Sequence, residues 1–104
     1  MLQLRKYLAM SDLPIVAGLV KVDQDTELVL YVDSNNELIA ASSPQYGDGE
    51  VAPFSDLGKV GAIIKFVDPC GNKLTVDLVR KFDVLNLRNT FVVRWAYKEE
   101  KVSA

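Results

Sequence analysis

Residues 59–82 read KVGAIIKFVDPCGNKLTVDLVRKF, and this stretch decides the fold. Val60, Ala62, Ile64 and Phe66 fall on every second position, with Lys59 and Lys65 on the other side. A two-residue period is that of a strand with one dry face. Asp68-Pro69-Cys70-Gly71-Asn72 then supplies turn chemistry, with glycine free to take positive φ. After the turn the alternation resumes: Leu74, Val76 and Leu78 point inward, and Lys73, Thr75 and Asp77 point outward. The unit is a β-hairpin.

Working outward, Leu85–Asn89 is a connector to a third strand, Thr90–Lys98. Phe91, Val93, Trp95 and Tyr97 are expected inward there, with Thr90, Arg94 and Lys98 outward. Upstream, Ile15–Val22, Glu27–Asp33 and Glu37–Ala41 form a second meander, joined by polar turns at 23–26 and 34–36. Residues 42–58 (SSPQYGDGEVAPFSDLG) hold two prolines and three glycines and are expected to be a long central loop. Residues 2–10 fit a short helix or an edge segment, and residues 99–104 a flexible tail. The fold expected for residues 1–104 is one all-β domain of about six antiparallel strands in two meanders, packed as a small sandwich or barrel. A single extended sheet that dimerises is the alternative, because Val29, Tyr31, Val79 and Val92 face outward and want cover.

The chain has 104 residues, 49% apolar and 25% charged, which fits one globular domain. A domain of this size has much surface per residue, so its slightly apolar balance suggests a face that a partner covers. The net charge of −2 is unevenly spread. Residues 1–52 carry three basic against eight acidic side chains, and residues 53–104 carry nine basic against six acidic. Opposite signs favour attraction between the halves of one fold or between subunits. Cys70 is the one cysteine, so no internal disulfide forms and a reducing compartment is expected, the cytoplasm of a cell or of an infected host. No apolar run is long enough to cross a bilayer, and no membrane partner is expected.

Catalytic chemistry is hard to assemble from these residues. The chain has no histidine, which removes the commonest general base and most zinc and copper sites. Asp23, Asp25 and Glu27 lack the glycine and the distant glutamate of a calcium-binding loop. The glycines match no phosphate-binding motif. No enzyme activity, cofactor or metal is therefore expected.

Two groups of residues remain as candidates for binding. Tyr46, Asp48, Glu50 and Phe54 sit in the expected loop, where large aromatics among glycines make a contact element. Lys65, Lys73, Arg94 and Lys98 are expected on one basic sheet face. The function expected is non-enzymatic interaction or assembly through a sheet surface, with self-association into a homo-oligomer and a protein partner. Small viral or phage structural and accessory proteins share this profile. Two alternatives stand beside it: single-stranded RNA or DNA binding on the basic face, and a barrel that holds a small ligand.

Overall fold

Aspartates open four of the turns that shape this chain. Asp23 accepts from the Asp25 amide at 2.8 Å, and Asp33 from the amides of Asn35 and Glu37 at 2.9 and 3.0 Å. Asp68 accepts from the Asn72 amide at 2.8 Å, and Asp83 from the Leu85 amide at 3.1 Å. A carboxylate that holds the amides just ahead of it stands in for a backbone turn bond and reverses the chain. Between these reversals lie eight strands in a computed structural model that describes residues 15–101. They are β1 (Ile15–Asp23), β2 (Thr26–Val32), β3 (Leu38–Ser43), β4 (Gly47–Asp48), β5 (Glu50–Asp56), β6 (Lys59–Val67), β7 (Lys73–Asp83) and β8 (Arg88–Glu99).

The strands form two four-stranded antiparallel sheets, β1-β2-β3-β4 and β5-β6-β7-β8, each in chain order. The all-β class and the paired meanders follow the sequence reading. Each meander gains one strand, because residues 42–58 are not the long loop expected. Ser43 Oγ accepts from the amides of Gln45 and Tyr46 and turns the chain into β4. Leu57 and Gly58, at φ 50° and 76°, then form a two-residue turn closed by the Asp56–Lys59 pair. Positive φ at both positions suits the twist of a hairpin. Pro53 is accommodated because β5 is an edge strand. Among the described residues there is no helix. The segment expected over residues 2–10 lies outside the described residues, as do residues 102–104 of the tail. The strand β8 itself runs to Glu99, and the Lys101 amide donates to Asn72 Oδ1 at 2.9 Å.

The inner faces of the two sheets supply one core. Leu28, Leu30 and Ala41 from the first sheet meet Ile64, Phe66, Leu74, Val76 and Leu78 from the second, all buried. Each of the leucine, isoleucine, valine and phenylalanine side chains contributes roughly 1.5–3 kcal/mol on leaving water. The arrangement is a sandwich whose sheets are joined at one corner by Gly49. Its amide donates to the Ala41 carbonyl at 2.9 Å while the next residue already belongs to β5. A β-carbon on Gly49 would lie 2.6 Å from the Phe66 ring and 2.7 Å from Ile64 Cγ2, so the crossing runs tight over the core. On the opposite side, Lys98 of β8 reaches Asp23 of β1 at 2.6 Å.

Candidate functional site

The register of β8 against β7 places the side chains that matter. From Lys73↔Glu99 to Asp77↔Trp95 the pairing is regular, and it resumes at Leu78↔Val93. Arg94 is left over as a bulge. An extra residue in one strand changes which face every later side chain takes. Trp95 and Tyr97 therefore stand on the outer face, opposite Asp77 and Thr75, and are 45% and 61% exposed. Lys98 turns to the inner side, opposite Leu74, where it finds Asp23. The sequence expectation is corrected here on both counts. Trp95 and Tyr97 are not inward, and Lys98 is not on the face that carries Lys65, Lys73 and Arg94.

At the centre of this face Arg94 folds over Asp77. Its Nη2 and Nε donate to Asp77 Oδ2 at 2.6 and 3.2 Å. Asp77 is 1% exposed, and its Oδ1 has no partner among the described residues. The Arg94 side chain keeps 44% of its surface in solvent, and its guanidinium lies 5.5 Å from the centroid of the Phe54 ring. Phe54 in turn covers Gly61, its cross-strand partner. Such an aromatic over a strand glycine fills the space left by the missing side chain. Val92 is 42% exposed on the same face, beside the half-buried Val79. Charged residues surround this apolar centre: Lys65 and Lys73 with Glu50 and Glu99 toward one end, Lys59 with Asp56 toward the other.

The eight sequence candidates divide accordingly. Arg94 and Phe54 meet in the cluster just described. Asp48, Glu50, Lys65 and Lys73 line one shallow hollow of about 390 Å³ with Thr75 and Glu99. Tyr46 packs against the core, its ring tilted 50° to that of Phe66 with centroids 6.2 Å apart. Lys98 serves the ion pair between sheets. The residues that sequence reading missed are Trp95 and Tyr97, placed on the wrong face, and Asp77, placed outward but not recognised as buried. No group of three or more potential metal ligands occurs among the described residues. No helix there is long and apolar enough to cross a membrane.

The pair between sheets has a measurable signature. Lys98 holds the Asp23 carboxyl at about 2, chiefly by its hydrogen bond and then with help from the Asp25 amide. A folded-state value below the ordinary 3.8 stabilises the fold above that pH, and the contribution disappears as pH falls through about 2. Urea unfolding between pH 5 and 2 is expected to show this loss, and Lys98→Met to flatten the profile there. An unchanged profile in Lys98→Met would mean that the pair does not persist in solution.

No family model, curated protein or solved structure matches the chain.

Proposed function

We propose that the protein is a non-enzymatic assembly module that self-associates through the outer face of the β5–β8 sheet. One observation carries this reading: the bulge at Arg94 turns Trp95 and Tyr97 out to solvent beside Val92. Trp, Tyr and Arg at the centre of an apolar patch, with charges at its edge, are the composition of an interface hot spot. The rim supports a second copy as the occupant. It alternates lysines with Glu50, Asp56 and Glu99, so two copies related by a twofold axis can set acid against base.

Sedimentation across a concentration series tests the reading. The chain is expected to dimerise, with little weakening when salt is raised, because apolar burial is not screened. Trp95→Ala is expected to weaken the dimer by about 2 kcal/mol, on the order of thirtyfold. A monomer at the highest concentration reached would overturn the proposal.

A second reading has its own support. Trp95 and Tyr97 share their face with Lys65, Lys73 and Arg94, and aromatics among cations on an open sheet form a stacking platform for single-stranded RNA or DNA. The acidic members of the rim oppose a polyanion. Oligonucleotide binding that falls steeply with salt and is lost in Trp95→Ala would favour this reading over the first.

A further inference from the structure

Arg80 stands where the alternation of β7 calls for an apolar side chain. Leu74, Val76 and Leu78 face the core, and Arg80 is the next residue in that row. Register agrees on its face, since Arg80 pairs with Phe91, which packs against the core. Gly61 pairs with Val79, so Val60 stands level with Arg80, and Ser55 pairs with Val60. Ser55, Val60, Arg80 and Phe91 thus form one row across all four strands, on the inner side of the β5–β8 sheet. A charge drawn out of water needs a partner. Arg80 is half-buried, yet among the described residues it has no ion-pair partner.

The facing wall comes from the other sheet. The β2–β3 turn brings Asn36, Glu37 and Leu38 to this row and encloses with it a hollow of about 460 Å³. A volume of that order is that of a small-molecule site. The wall is pinned by its own main chain: the Glu37 amide donates to Asp33 Oδ1 at 3.0 Å, and the Glu37 carbonyl accepts from the Asp33 amide at 3.0 Å. Glu37 and Arg80 are the two charged side chains that line the hollow, one from each side of the sandwich, and they are not paired with each other. Leu38, Val60 and Phe91 supply apolar lining. The aspartates next along these strands, Asp33 and Asp83, are already held by turn amides.

We infer that this hollow binds a small zwitterion with an apolar side chain, of the class of a free hydrophobic α-amino acid. Its carboxylate meets the Arg80 guanidinium, whose fork matches two oxygens. Its ammonium meets Glu37, and its side chain lies against Leu38, Val60 and Phe91. A simple anion would be opposed by Glu37 and a simple cation by Arg80. A ligand with both signs at one end is opposed by neither. The site lies on the inner side of the sheet and does not depend on association through the outer face.

Titration of the full chain with phenylalanine, followed through its amide NMR signals, tests the inference. Saturable shifts are expected at Glu37, Arg80 and Phe91. N-acetylphenylalanine, which lacks the ammonium, and phenylalaninamide, which lacks the carboxylate, should each bind about tenfold more weakly, the share of one charge-assisted hydrogen bond. Arg80→Met should remove binding without lowering the melting temperature, since an apolar chain suits that inward position. Glu37→Gln, in the turn, should abolish the preference for the free amino acid over its acetyl form. No saturable shift at millimolar phenylalanine overturns the inference, as does equal binding of the free and acetylated forms by the parent chain. Non-additive losses of stability in Arg80→Met, Glu37→Gln and the double variant, measured without ligand, overturn it too, because the two side chains would then already hold each other.

Discussion

Arg94→Ala is expected to lower the unfolding free energy by about 2–3 kcal/mol. Breaking a buried ion pair by removing one partner typically costs 3–5 kcal/mol, because the remaining charge is stranded. Arg94 is 44% exposed, so water enters where the guanidinium lay and moderates the loss. Asp77 bears the consequence: it is 1% exposed, its Oδ1 already has no partner among the described residues, and Oδ2 would lose both of its donors. The Phe54 ring would also lose the cation above it. Replacing both partners, as in Asp77→Leu with Arg94→Leu, should restore most of the stability, since an apolar pair there strands nothing. Denaturant unfolding of the two single variants and the double variant measures the coupling. A loss below about 0.5 kcal/mol for Arg94→Ala would place the pair among ordinary surface contacts.

The second large effect is expected at Gly61. The Leu78 carbonyl oxygen occupies the place a β-carbon would take, and Phe54 Cζ is 3.0 Å from it. A side chain that meets another side chain can be relieved by a rotamer change. One that meets a backbone carbonyl can be relieved only by moving β6 and β7 apart. Gly61→Ala should therefore cost about 3 kcal/mol, at the upper end of what overpacking does. For a domain of this size that lowers the melting temperature by roughly 12–24 °C. Gly49→Ala makes a useful comparison, because the atoms nearest its added methyl are side-chain atoms of Phe66 and Ile64. It is expected to be milder. If the two variants melted together, the close approach of the β7 backbone at Gly61 would not be what sets the cost.

Most of the sandwich was legible because the alternation in 26–32 and 60–78 survives folding, whereas β1 shifts register at Val16/Gly18 and Lys21/Asp23. Leu28, Leu30, Ile64, Phe66, Leu74, Val76 and Leu78 all face the core, as their spacing implies. The stretch 42–58 misled because prolines and glycines mark breaks as readily as they mark edge strands. Pro53 sits on an edge, and Gly49 and Gly58 turn corners between strands rather than ending them. The candidate face was harder to read for a different reason. A bulge inserts one residue without any residue type that announces it. In FVVRWAYK, residues 91–98, alternation counted from Phe91 puts Trp95 and Tyr97 inside. The pairing with β7, which skips Arg94, puts them outside. The adjacent Val92 and Val93 are the sole local hint, since an apolar residue on each face is what a change of parity requires.

Both sheets keep their strands in chain order, each paired with its immediate neighbour. Every hairpin can close over a short stretch of chain, so little loop entropy is spent before a contact is made, and folding should be fast for an all-β fold. The same connectivity lets the β1–β4 ribbon form before β5 has been synthesised. During that interval it would display Leu28, Leu30 and Ala41 with nothing to lie against, and the crossing at Gly49 would deliver the second ribbon directly onto them.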